Sequence, residues 1–238
     1  MLKAIFFDLD CTLLPMNQEK FIEHYFLRLT GYLSQWGYEK VGIQKHIIKG
    51  TAAMQNNDGR NTNESVFWNY FSGAYGEKAL EHQSVFEEFY KTEFQLVKEV
   101  TWVEPAAGQT VKRLREKGYP LVLATNPLFP AIATQSRVRW AGLDPADFIH
   151  ITTYDNSSYA KPNPAYYQEI LDRLGLRAQE CLMVGNDALE DMAAEKTGMR
   201  VFLLTKLLIN SENLDISGYP QGGFDDLMAY IETLEAEI

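Results

Sequence analysis

Cysteine is nearly absent from this chain. Two residues in 238, Cys11 and Cys181, make no disulfide framework, and the default setting for such a chain is a reducing cytoplasm. Positive charge is also scarce: 22 Lys and Arg face 32 Asp and Glu, for a net charge of -10. That balance argues against nucleic acid or an anionic membrane surface as a main partner. A phosphorylated ligand would therefore need a metal ion or a placed lysine. No apolar run approaches the roughly 18 residues that a membrane span requires. Met1-Leu2-Lys3 leads straight into a strand pattern, so neither a spanning segment nor a signal peptide is expected. Internal repeats and low-complexity tracts are missing too.

What is present reads as a globular chain, with 46% hydrophobic and 23% charged residues. Its length suits one core domain carrying a sizeable insertion. The opening stretch Ala4-Ile5-Phe6-Phe7-Asp8-Leu9-Asp10 puts four apolar residues before two carboxylates, the pattern of a strand buried on both faces. In open α/β sheets the ligand crevice lies outside the carboxyl ends of the strands, where Asp8 and Asp10 fall. Two acids on one face repel, so a cation or a retained proton is needed between them. As a lone motif, Asp-x-Asp is equally a turn former.

From residue 16 to about 100 the pattern is helical. Phe21, Tyr25, Phe26 and Leu29 recur at helical spacing and Gly31 follows as a stop. Val41 to Ile48 continues the helical pattern, the Asn-rich segment Thr51 to Asn63 reads as a loop, and Glu64–Tyr75 and Leu80–Val100 read as two further helices. The block is expected to pack around its own aromatic core. Trp36, Phe67, Trp68 and Trp102 are equally suited to line a pocket against the core.

After Pro105 helices and apolar strands alternate: helix Gln109–Lys117, strand Tyr119–Ala124, helix Ala131–Trp140, strand Phe148–Thr152, helix Pro164–Leu174, strand Cys181–Val184, a helix to Lys196, and strand Arg200–Leu204. Such alternation predicts βαβ units and a parallel sheet. Thr205 to Gly223 reads as a connection and Phe224 to Ile238 as a terminal helix. Three strands end in polar clusters, Asp8/Asp10, Thr125/Asn126 and Asn186/Asp187, which a parallel sheet gathers on one edge. Asp191 follows Asp187 by four residues, and Lys161 stands in the proline-braced Ala160-Lys161-Pro162-Asn163-Pro164.

These four clusters, in this order, resemble the four motifs of the haloacid dehalogenase-like hydrolase superfamily, and the helical block resembles its C1-type cap. The likeness covers essentially the whole chain. It implies a Rossmann-like, doubly wound α/β core from residues 1–15 and 101–238, with residues 16–100 as an inserted all-helical cap. By position, Asp8 is implied as the nucleophile that forms an aspartyl-phosphate and Asp10 as the general acid and base. Thr125, the N–H that follows it at Asn126, and Lys161 are implied to hold the phosphoryl oxygens. Mg²⁺ is implied at Asp8, the Asp10 carbonyl and Asp187, with Asn186 or Asp191 as alternates.

The chain departs from the family pattern twice: Cys11 stands where glycine is usual, and Asn186 stands where the fourth motif usually carries Asp. Asp10 favours phosphoryl transfer over dehalogenation. The expected activity is a phosphatase acting on a small phosphorylated metabolite. A sugar phosphomutase or phosphonatase is the alternative, for which Lys49 in His46-Ile47-Ile48-Lys49-Gly50-Thr51 is the candidate cap residue. A non-catalytic, cap-mediated binding module is the other.

Overall fold

The computed structural model describes residues 2–236. Six parallel strands form one sheet in the order β3-β2-β1-β4-β5-β6. They are β1 (Ala4–Phe7), β2 (Leu121–Leu123), β3 (His150–Ile151), β4 (Cys181–Gly185), β5 (Arg200–Leu204) and β6 (Gln221–Gly222). Alternate residues of β1 serve opposite layers, as strand geometry requires. Ile5 and Phe7 join a cluster with α5 (Pro105–Glu116) and α8 (Phe224–Ala236), while Ala4 and Phe6 join one with α7 (Pro164–Leu174). Every residue of β1 and β4 is buried, which accounts for their unbroken apolar runs. The strand order turns at β1, with β2 on one side and β4 on the other, so the crevice at their carboxyl ends is the place for chemistry.

Residues 17–100 add no strand to this sheet. They hold α1 (Gln18–Leu33), α2 (Lys40–Gln55), α3 (Asn63–Tyr75) and α4 (Gln83–Lys91), with 3-10 turns after α1, α3 and α4 and a loop between α2 and α3. The chain leaves and re-enters the core side by side. Met16 pairs antiparallel with Thr101, Asn17 N–H donates to the Val100 carbonyl and Trp102 N–H to the Pro15 carbonyl. A second attachment is the start of α3: Asn63 and Glu64 N–H donate to the carbonyls of Ser157 and Tyr154, and the fully buried Asn63 amide donates to those of Pro127 and Tyr159. These bonds occupy orphan donors of the first helical turn.

The helical block does not pack around a core of its own. Phe71 meets Phe67, Trp68, Tyr75 and Phe86, but Phe94 also packs against Phe129 and Trp140, the latter in α6 (Ala131–Trp140), with ring centroids 6.3 and 5.1 Å away. One apolar cluster therefore runs from the insertion into the sheet layer.

Several element boundaries differ from the sequence expectation. Helix α1 runs through Gly31 because Leu33 is fully buried beyond it, and the stop is Gly37, at φ 85°. Helix α2 continues to Gln55, since Met54 packs inward, and only residues 56–62 form the loop. There the Asn57 amide donates to the Asn61 carbonyl and the Asn63 side chain. The expected helix Leu80–Val100 breaks at Thr92, whose hydroxyl donates to the Glu88 carbonyl and closes α4. Strand β6 was not expected. The segment after β4 is a turn followed by a 3-10 stretch, Met192–Thr197, rather than a helix to Lys196. Of the expected terminal helix, Glu237 and Ile238 lie outside the described residues. No helix among the described residues is long and apolar enough to cross a membrane.

Candidate active site

Asp8 leaves the end of β1 with its N–H donating to the Val184 carbonyl of β4. Its carboxylate Oδ1 accepts from Lys161 Nζ at 2.8 Å, and Asp191 Oδ1 accepts from the same ammonium at 2.6 Å. Lys161 is 2% exposed and Asp191 1%, so three charges from distant parts of the chain meet out of water. Burial works to lower the Lys161 pKa, yet Asp191 and Asp8 overcome it and hold it well above the usual lysine value. Burial raises Asp191 above the ordinary carboxylate range, against the pull of Lys161.

The turn after β4 is built by its own carboxylates. Asp191 Oδ2 accepts from Asp187 N–H, and Asp187 Oδ1 accepts from the N–H groups of Leu189 and Glu190. A Cβ on Gly185 would fall inside the Asp191 carboxylate, so only glycine lets that acid fold back onto the strand end. Asn186 is 1% exposed and spends both amide atoms: Oδ1 accepts from Thr12 at 2.8 Å, and Nδ2 donates to the Leu207 carbonyl at 2.6 Å. Thr125 is held by its carbonyl, which accepts from the hydroxyls of Thr152 and Tyr166.

A cavity of about 170 Å³ opens at these strand ends. Asp8, Asp10, Thr125, Asn126, Asn186, Asp187 and Asp191 all line it, so the residues expected from the first, second and fourth motifs share one chamber, and Lys161 is tied to its floor through Asp8 and Asp191. Lys49 does not join them. It is exposed in mid-α2. Trp36 and Trp102 stand half exposed, Phe67 and Trp68 are buried inside the insertion, and none of the four lines this chamber. A larger cavity, about 520 Å³, lies elsewhere, between α3, α4 and the segments after β2 and β3; Trp68 lines it, and none of the cluster does.

Two residues here were not singled out from the sequence. Arg137 of α6, 1% exposed, is ion-paired with Asp10 and lies over the Phe129 ring, 4.5 Å from its centroid. Asp10 keeps a quarter of its side chain open (26%), and its Oδ1 is buried with no hydrogen-bond partner. Burial raises its pKa and Arg137 opposes the rise. Glu190 accepts from the Asn126 amide at 3.0 and 3.1 Å, and burial pushes its pKa up to about 7. Asn126 Oδ1 is also buried without a partner. Cys11 adopts φ 61°, the conformation that glycine would take freely; its thiol faces the Met16 carbonyl, and burial pushes its pKa up to about 12.

A buried lysine thus bridges two acids at the carboxyl ends of a parallel α/β sheet that carries a helical insertion. The chain belongs to the haloacid dehalogenase-like hydrolase family, whose model matches residues 2–196. It is similar to the phosphoglycolate phosphatase of Aliivibrio fischeri (strain ATCC 700601 / ES114), 32% identical over 104 residues, or 42% of this chain and 43% of that one. The match thus spans less than half of that relative's length. A broader likeness, 25% identity over 206 residues covering 86% of this chain and 84% of the other, links it to the phosphoglycolate phosphatase of Vibrio vulnificus (strain CMCP6). Among solved structures, the 2-haloacid dehalogenase of Pseudomonas syringae pv. Tomato DC3000 superposes with a TM-score of 0.64 at 20% identity, covering 98% of this chain and all of that one. That likeness concerns the fold.

Proposed function

We propose that this hydrolase is a phosphatase that cleaves the phosphoric monoester of a small metabolite through an aspartyl-phosphate on Asp8. The observation that carries the reading is Lys161, an ammonium held out of water between Asp8 and Asp191. A carboxylate attacking an anionic phosphoryl group needs its charge neutralised, and a fixed buried cation beside the nucleophile supplies part of that at no cost in reorganisation. An Asp8 oxygen attacks phosphorus and the leaving oxygen departs with a proton from Asp10. Asp10 then takes a proton from water, which releases phosphate and restores Asp8. Thr125 and the N–H of Asn126 face the same chamber and hold the phosphoryl oxygens.

The residues fit Mg²⁺. Among the described residues no three His, Cys, Asp or Glu side chains form a metal cage of their own, but Mg²⁺ binds through one or two carboxylates with phosphate oxygens and waters. Asp8, the Asp10 carbonyl and Asp187 would hold it: Asn186 and both oxygens of Asp191 are already engaged, whereas Asp8 and Asp187 each commit only Oδ1. Bound there, the ion supplies positive charge to a chamber where Asp8, Asp10, Asp187, Glu190 and Asp191 outnumber Lys161 and Arg137.

Residues 16–100 act in this reading as one cap and residues 1–15 and 101–238 as the core, a division supported by the Met16–Thr101 pairing. Two buried free thiols accord with a cytoplasmic setting. The mutase and phosphonatase readings need a cap side chain that takes part in the chemistry; Lys49 does not line the chamber, and Gln18, the cap residue that does, is neither an acid, a base nor a nucleophile. The test is hydrolysis of p-nitrophenyl phosphate. Asp8→Asn is expected to lose at least about 10⁴-fold in kcat with its unfolding transition kept, and EDTA to silence the wild type. An active Asp8→Asn protein would remove Asp8 as the nucleophile.

A further inference from the structure

Beside the catalytic chamber lies a second cavity of about 280 Å³, walled by Ile22 and Phe26 of α1, Ile47 and Ile48 of α2, and Leu128 and Phe129. The two spaces adjoin: Leu128 and Phe129 line both. Helix α1 also runs along both, with Gln18 in the polar chamber and Ile22, one turn later, in the apolar one. Ile22 and Ile48 are 49% and 50% exposed, two large aliphatic groups on separate helices left facing one solvent-filled space.

No residue lining this second cavity is charged at neutral pH. Its one titratable group, Tyr25, shares a 3.0 Å hydrogen bond with Tyr90, and burial pushes its pKa up to about 12. The cations nearby are committed, Lys161 to Asp8 and Asp191, Arg137 to Asp10.

We infer that the substrate's leaving group is uncharged and apolar, an aryl ring or a short alkyl chain, seated between α1 and α2 while its phosphoryl group faces Asp8. The inference rests on the phosphatase reading and narrows it. A carboxylate or second phosphoryl group in this place would face aliphatic and aromatic walls with, besides Tyr25, only the Thr51 hydroxyl and the Gln55 amide among them and no cation to offset its lost hydration. Roughly 150 Å³ is enough to take a benzene ring, so the space suits an aryl group or a chain of several carbons. This sets the chain apart from the glycolate ester in its relatives' names.

The experiment measures phosphate release by the full-length protein with Mg²⁺ from methyl to hexyl phosphate, phenyl phosphate, phosphoglycolate and pyrophosphate. Leaving-group basicity is similar along the alkyl series, so its slope reports the cavity. The expected result is a kcat/KM that rises roughly fourfold per methylene until the space is filled, with hexyl phosphate at least tenfold above phosphoglycolate. Ile48→Lys and, independently, Ile22→Lys are expected to flatten the slope and shift preference toward phosphoglycolate. Val41→Lys on the 75%-exposed face of α2 should alter neither. Thermal unfolding of each variant checks that it is folded. A flat alkyl series, or a wild-type preference for phosphoglycolate or pyrophosphate, overturns the inference and leaves the phosphatase reading standing. Phosphate release from none of the compounds overturns the phosphatase reading and the inference with it.

Discussion

At the ends of β1 and β4 the chain buries Asp8, Lys161 and Asp191, while around Phe71 and Phe94 it buries a cluster dominated by rings. The two regions are equally dry and opposite in energetics. Taking charges out of water costs so much that a buried ion pair roughly breaks even against an apolar replacement, and breaking it by removing one partner is severe. Rings packed edge to face, such as Phe71 on Phe86 at 5.4 Å, stabilise through burial and ring geometry together. A protein selected for stability alone would have no reason to keep the charged cluster. Its presence at the strand ends marks what this fold is organised to do, and the ring cluster supplies the stability that allows it.

Substitutions separate the two regions. Lys161→Met should have the largest combined effect. It leaves Asp8 and Asp191 buried without their counter-charge, which costs about 3–5 kcal/mol of stability, and it removes the cation proposed to face the phosphoryl group, lowering kcat by about 10²–10³-fold. Denaturant unfolding and p-nitrophenyl phosphate turnover read the two losses separately, and an unchanged kcat would dissolve the contrast between the regions. Phe94→Ala should cost about 3–5 kcal/mol, since its ring is fully buried among Phe21, Tyr25, Tyr90 and Trp140. Measured below its new melting midpoint, its kcat should stay within about threefold of wild type; a loss on the scale of Lys161→Met would show that the rings also shape the chemistry. The smallest effect is expected at Thr62, whose hydroxyl accepts from Ser65 N–H at the start of α3. Thr62→Ala should cost about 1 kcal/mol, a shift of roughly 2–4 °C in Tm, with turnover unaltered.

Much of the sheet was legible because a strand buried on both faces shows as a continuous apolar run, as in β1 and β4, and a polar cluster directly after it marks the strand end. That logic placed Asp8, Thr125 and Asn186 on one edge. Lys161 needed the order of the motifs as well, because a lone lysine in a loop carries no signal of its own. Arg137 and Glu190 gave none. A basic residue in the last turn of α6 looks like an ordinary complement to the helix dipole, and only the folded positions of Phe129 and Asp10 give it another partner. Boundaries failed where tertiary packing overrode local preference: burial of Leu33 carried α1 past Gly31, and burial of Met54 carried α2 into the Asn-rich stretch. Strand β6 is two residues long and is recruited by Leu203 and Leu204, so it has no pattern to read.

The antiparallel bridge between Met16 and Thr101 sets the two ends of the helical insertion against each other at a single seam. The start of α3 and the Phe94 ring fasten the same insertion to the loops and helix beside the sheet at points far from that seam. An alteration inside the helices is therefore felt at Phe129, which lines the polar chamber as well as carrying the Phe94 ring, so the roof of that chamber and its walls move as one body.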